Sequence, residues 1–186
     1  MRTAGFVLVG GQSARMGRDK ARLPLASGLL VEGVAAKVKR AAGSVTLVGR
    51  SASYRDLPFP AIDDLRPALG PLAGIEAALA SECAELNLIV ACDMPDLEES
   101  WLTRLLEEAA CHPGPCLISQ TVDGRLHPLC GVWRAECLLS VRRALDANRL
   151  RLLDLVRELN ARYLLQTHSL TNLNTPEQWA EWQLAR

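Results

Sequence analysis

The chain has 186 residues, 49% of them apolar and only 4% aromatic, with 21 Lys and Arg balanced against 21 Asp and Glu. That length serves one globular unit with a proper core, and the zero formal charge excludes the basic excess of a nucleic-acid binder. A small anionic ligand stays open, because a few placed cations and backbone N–H groups are enough to hold one.

No window approaches the ~20 apolar residues of a membrane span. The short apolar run at the N-terminus stops at glycines and lacks the cleavage site of a signal peptide, so a cytoplasmic protein is expected, with no membrane or nucleic-acid partner. The six cysteines form no C-x-x-C pair, and several lie in apolar stretches. They read as buried, reduced thiols; Cys111, His112 and Cys116 lack the second pair that a zinc site needs.

Taken in chain order, residues 5–9, 45–48, 86–91, 116–122 and 162–165 are short, aliphatic, β-branched runs. Most are apolar without alternation, as in strands covered on both faces of a mostly parallel sheet. Between them, Val31, Val34, Ala35, Val38 and Ala42 keep helical spacing, as do Leu72, Ile75, Leu79 and Cys83 behind Pro71. Asp96 and Glu99 have the spacing of a capping box for a helix over residues 101–111, and Thr175 and Gln178 repeat it near the C-terminus. With no repeat or linker, the alternation predicts one three-layer α/β/α domain spanning residues 1–186. Ligands in such folds bind beyond the carboxyl ends of the strands.

The first such loop, residues 10–20, holds Gly10, Gly11 and Gly17 together with Arg15, Arg18 and Lys20. Glycines admit backbone N–H groups to a phosphate, and the cations add fixed charge. The run is neither a Walker A loop nor G-x-G-x-x-G, and Ser13 is not in the G-x-S-x-G of a nucleophile. Asp63 and Asp64 precede Gly70 and Pro71, where a helix N-terminus favours an anion. Asp93 follows the most apolar strand and is pinned by Pro95, a placement suited to Mg²⁺. His127 beside Pro128 reads as structural on its own. Arg142, Arg143, Arg149 and Arg157 read equally well as the wet faces of helices.

The run from Gly10 to Lys20 resembles the G-G-x-S-x-R-M-G-x-D-K signature of nucleotidyltransferases that load a nucleotide onto molybdopterin. It most resembles the molybdenum cofactor guanylyltransferases. The G-P-L-x-G element at Gly70, the C-D-x-P motif at Cys92 and the N-x-N-T-P run at Asn172 agree, so the likeness covers residues 6–179. It implies a Rossmann-like nucleotidyltransferase fold and transfer of GMP from GTP to molybdopterin, with Mg²⁺ as cofactor. Leu8, Val9 and Gly10 would line the guanine pocket, although the family usually has Ala in place of Val9. Gly11 and Ser13 would meet phosphates through backbone amides, and Arg15 and Lys20 would neutralise the triphosphate as catalytic cations. Asp64 (or, one residue earlier, Asp63) and Gly70 would join the nucleotide site, and Asp93 would hold the metal.

Arg151, Asn172 and Asn174 would bind molybdopterin in the C-terminal half, with Asn148 and Arg149 near its terminal phosphate. Molybdenum-insertion proteins and molybdoenzyme maturation factors are the protein partners such a reaction allows. Two rivals stand beside this reading: a cytidylyl- or sugar-phosphate nucleotidyltransferase, and a non-catalytic nucleotide or pterin carrier.

Overall fold

The structure is a computed structural model that describes residues 1–10, 19–25, 28–81, 84–167 and 170–185. The first half holds β1 (Thr3–Leu8), β2 (Pro24–Leu25), β3 (Gly28–Leu29), α1 (Leu30–Ala42), β4 (Thr46–Val48), β5 (Ala61–Ile62) and α2 (Pro71–Ala80). Then come β6 (Leu86–Ala91), α3 (Glu99–Cys111), β7 (Cys116–Thr121) and β8 (Leu126–Arg134). The chain closes with α4 (Leu138–Asp146), α5 (Leu152–Glu158), β9 (Arg162–Gln166) and α6 (Pro176–Leu184).

Seven strands form one sheet in the order β5-β4-β1-β6-β8-β7-β9, and β2 and β3 make a small separate hairpin. Every neighbouring pair in the sheet is parallel except those of β8, which runs antiparallel to both β6 and β7. Strand side chains alternate between faces. Val7 accordingly packs with α1, α3 and Trp179 of α6, while Phe6 and Leu8 pack with α2, α4 and α5. Both faces are covered, which is why β1 and β6 are apolar almost throughout. The expected three-layer α/β/α architecture with a mostly parallel sheet is the one observed.

Two helix starts were read from the sequence, and they fare differently. At α6, Thr175 Oγ1 accepts from the Gln178 N–H at 3.3 Å while Gln178 Oε1 accepts from the Thr175 N–H at 3.2 Å. The expected box at Asp96 does not form. The Leu97 N–H bonds back to the Met94 carbonyl, closing a turn, so α3 begins only at Glu99. The Asp96 carboxylate instead accepts from Trp182 Nε1 at 2.9 Å and ties α6 to this turn. The five described cysteines are free thiols, all buried except Cys111. No helix among the described residues is long and apolar enough to cross a membrane.

Candidate active site

Parallel pairing decides where the site lies. Leu8 is in register with Ala91, so β1 and β6 end side by side and the Cys92 N–H reaches the Leu8 carbonyl at 3.2 Å. Val9 and Gly10, which follow β1, and the Asp93 turn leaving β6 are therefore neighbours. Strand β4 flanks them on the other side, where the Val9 N–H donates to the Val48 carbonyl at 2.8 Å. There Gly49 (φ +153°) passes so close that a Cβ would lie 1.9 Å from the Val9 carbonyl oxygen. Only glycine fits.

Lys20 opens a 3-10 turn that Asp19 caps, accepting from the Ala21 N–H at 3.0 Å. The other Asp19 oxygen takes the Tyr54 hydroxyl at 2.8 Å. Tyr54 is buried, and its phenol is pushed upward by desolvation and by this carboxylate. Asp19 thereby fixes the direction in which Lys20 leaves the backbone. Lys20 Nζ donates to Asn174 Oδ1 at 2.8 Å and stands 3.9 Å from Asp93 Oδ2.

Asp93 Oδ1 is buried with no hydrogen-bond partner among the described residues. Burial pushes its carboxyl above the ordinary range, against the pull of Lys20, of backbone N–H and of Arg125. A buried carboxylate oxygen without a donor suits a hard cation. The described residues hold no group of three acidic, His or Cys side chains that would cage a metal. Magnesium needs none, because it commonly keeps waters and takes one or two carboxylates plus substrate phosphates.

On the opposite face of the strand ends lies the start of α2. Gly70 is its N-cap without a side-chain cap bond; Pro71 brings no N–H and the Ala73 N–H turns back to the Gly70 carbonyl at 3.1 Å, so Leu72 carries the first N–H without an intrahelical partner. A methyl group on Gly74 would touch Leu8 Cδ2 at 3.1 Å and Asp64 Oδ1 at 3.5 Å, so these three residues converge. The carboxyl of Asp64 is raised by desolvation and by Asp63. Asp63 is occupied elsewhere: its oxygens accept from the Ser51 N–H at 2.8 Å and the Ser51 hydroxyl at 2.9 Å.

A cleft of about 460 Å³ opens beyond Asp93, where β8 and α5 begin. Arg125, His127, Arg151, Asp154, Arg157 and Asn172 supply its polar lining, Met94 and Leu152 part of its apolar one. Neither Arg125 nor Arg151 has an ion-pair partner among the described residues. Arg157, also in the lining, pairs with Asp154. His127 is buried, and desolvation and then Arg125 hold its imidazole below the ordinary value. Asn172 Oδ1 is buried without a hydrogen bond of ordinary geometry among the described residues, and the Asn172 side chain pulls the His127 imidazole the other way, upward.

The structure thus brings Leu8, Val9, Gly10, Lys20, Asp64, Gly70 and Asp93 to one edge of the sheet, and Arg151 and Asn172 to the adjoining cleft. Gly11, Ser13 and Arg15 lie outside the described residues. Asn174 points away from the cleft residues towards Lys20, and Arg149 pairs with Glu158 on the surface. Arg125 and Tyr54 were not singled out from the sequence. Arg125 had one usable signal, a basic residue two positions before His127; Tyr54 had none.

Lys20 and Asp93 at adjacent ends of parallel strands, with Asp64 and a helix start opposite, sit where an enzyme of the α/β nucleotidyltransferase class would bind its nucleotide. The chain belongs to the family of the MobA-like NTP transferase domain, whose model matches residues 5–162. It is a nucleotidyltransferase. Relatives named probable molybdenum cofactor guanylyltransferase include that of Mycobacterium bovis, 34% identical over 92% of this chain and 89% of the relative. That of Carboxydothermus hydrogenoformans is 30% identical over 91% and 89%. The crystal structure of the molybdopterin-guanine dinucleotide biosynthesis protein A from Archaeoglobus fulgidus superposes with a TM-score of 0.84. It is 24% identical and covers 98% of this chain and 97% of its own. A CMP:2-keto-3-deoxy-manno-octonic acid synthetase complexed with CTP shares the fold at a TM-score of 0.80 and 10% identity, covering 100% of this chain and 98% of its own.

Proposed function

We propose that the protein transfers GMP from GTP to molybdopterin, giving molybdopterin guanine dinucleotide and pyrophosphate. One observation carries the reading: the Lys20–Asp93 edge adjoins a cleft lined by two arginines, Arg125 and Arg151, that have no ion-pair partner among the described residues. A donor triphosphate and an anionic acceptor would meet at Asp93. The names of the relatives, molybdenum cofactor guanylyltransferases, support a guanylyl group as what is transferred and the molybdenum cofactor as what receives it.

Leu8, Val9 and Gly10 would border the base, Asp64 and Gly70 would complete the nucleotide side, and Gly11, Ser13, Arg15 and Lys20 would hold the phosphates. Arg151 and Arg125 would hold the acceptor phosphate, with Asn172 facing the polar ring. An oxygen of that phosphate attacks the α-phosphorus of GTP. A new P–O–P bond forms, the α–β bond breaks, and pyrophosphate leaves with the electron pair. A phosphate monoester is already a nucleophile near neutral pH, so no side chain need take a proton. Catalysis then rests on alignment and on charge placed in advance. Asp93 would hold a magnesium ion, whose contribution is to offset charge on the phosphates. Lys20 and Arg15 would stabilise the charge that grows on the leaving group.

The test is pyrophosphate release by the purified protein supplied with molybdopterin and either GTP or CTP in magnesium buffer. Release with GTP at least tenfold faster than with CTP is expected. Faster release with CTP overturns the choice of base, and tight nucleotide binding without release favours a carrier.

A further inference from the structure

We infer that Asn174 is a positioning residue that keeps the Lys20 ammonium and the Asp93 carboxylate from neutralising each other. It rests on the reading of Lys20 as a phosphate-binding cation, and it moves Asn174 from the acceptor side to the donor side of the reaction.

The two opposite charges are each only 17% exposed, yet Nζ and Oδ2 stand 3.9 Å apart. Ammonium–carboxylate pairs in contact close to about 2.7–2.9 Å. What occupies the lysine is the Asn174 amide oxygen at 2.8 Å. An amide oxygen accepts the hydrogen bond without cancelling the charge, so the cation stays available to an incoming phosphate. The Asp93 oxygens are equally left for other partners, and Oδ1 has no donor among the described residues.

The backbone around Asn174 is built to hold this arrangement. The Leu173 N–H donates to the Asp93 carbonyl at 3.0 Å, and the Leu173 side chain is fully buried. The Asn174 N–H donates to Gln178 Oε1 at 2.7 Å, the same oxygen that caps α6. Between these two anchors the chain turns Asn172 to the cleft and Asn174 to the lysine. Without the amide, attraction at low exposure draws Lys20 onto Asp93, withdrawing both groups from the ligand.

The test uses magnesium with inorganic pyrophosphate as the probe, because transfer of a nucleotidyl group from any nucleoside triphosphate releases it, whatever the base or acceptor. Affinity is measured by calorimetry for the wild type, Asn174→Ala, Lys20→Ala and the double variant, and unfolding is followed in parallel. Asn174→Ala is expected to weaken binding about tenfold, the worth of one hydrogen bond to a charged group, with Tm close to wild type. In the Lys20→Ala background the same change is expected to cost nothing, since the residue acts only through the lysine. Asn174→Asp, which adds a rival anion, should bind more weakly than Asn174→Ala.

An equal loss in both backgrounds overturns the inference and makes Asn174 a direct ligand contact. No loss from Asn174→Ala in the otherwise wild-type protein, or no pyrophosphate binding by the wild type, overturns it as well. If the wild type fails to join GTP to molybdopterin while the pyrophosphate cycle behaves as described, the proposed reaction falls and this inference stands.

Discussion

Replacing Gly49 by alanine tests whether the β1–β4 contact sets the geometry of the nucleotide loop. The new methyl carbon would start 1.9 Å from the Val9 carbonyl oxygen, and Cβ atoms do not come nearer than 3.0 Å, so the strands must part by about 1.1 Å, the gap between those two distances. That movement strains or breaks the 2.8 Å bond from Val9 to Val48, a loss of about 1–3 kcal/mol. The backbone at φ +153° adds strain of about 1–3 kcal/mol for an L side chain. A total near 3 kcal/mol lowers Tm by about 6–12 °C in a domain of this size. Because Gly10 follows Val9 directly, a displacement of this size should also cut turnover by about 10².

Gly43→Ala separates the two effects. Gly43 has φ +78° but open space around its Cβ position, and it lies beside Ala42, at the opposite end of β1 from the site. It should cost about 1–2 kcal/mol and leave turnover unchanged. Tm from thermal unfolding and kcat from pyrophosphate release measure both. Turnover of Gly49→Ala within threefold of wild type, or a Tm loss no greater than that of Gly43→Ala, would refute the reasoning.

Asp93→Asn keeps the shape of the side chain and removes its charge; turnover should fall about 10²–10³, the effect of losing roughly 2.7–4 kcal/mol of transition-state stabilisation, with an unchanged circular dichroism spectrum. Near-normal kcat would strip Asp93 of its role. Arg125→Ala should raise KM for the phosphate acceptor about tenfold and leave KM for GTP alone; an equal rise in both would place Arg125 elsewhere. His127 titrates below its ordinary value because it is desolvated and faces Arg125. The unfolded chain therefore binds that proton more readily, so stability should fall as pH drops through about 6.5. Urea unfolding between pH 7.5 and 5 should show that slope, and His127→Gln should flatten it; an unaltered slope would assign it to other groups.

Of the candidate site, the placement of Gly10, Lys20 and Asp93 at one edge was legible because these residues follow strands that read clearly. The strands β1 and β6 announce themselves as unbroken apolar runs, a direct result of burial on both faces. Other features depend on partners far away in sequence. Nothing local says that Asp96 will leave its helix to meet Trp182, 86 positions later. Asp63 and Asp64 look alike in the chain, and only the position of Ser51 separates them. Asn174 reads as a polar ligand residue until β1, β6 and the C-terminal segment meet and Lys20 arrives 154 positions away. Arg149 and Arg151 are two residues apart, yet the start of α5 sends one to a surface carboxylate and the other to the cleft.

Reversal of a single strand has its own consequence. Because β8 runs against its neighbours, its first residues, not its last, arrive at the ligand edge. The turn joining β7 to β8 thus carries Arg125 there, and residues 122–125 are all exposed, outside both apolar layers. Insertion or recharging in such a turn would leave the β1–β6 edge, with Lys20 and Asp93, untouched. On the proposed reading, this peripheral hairpin would help decide which acceptor is bound, and the β1–β6 edge would handle the nucleotide independently of it.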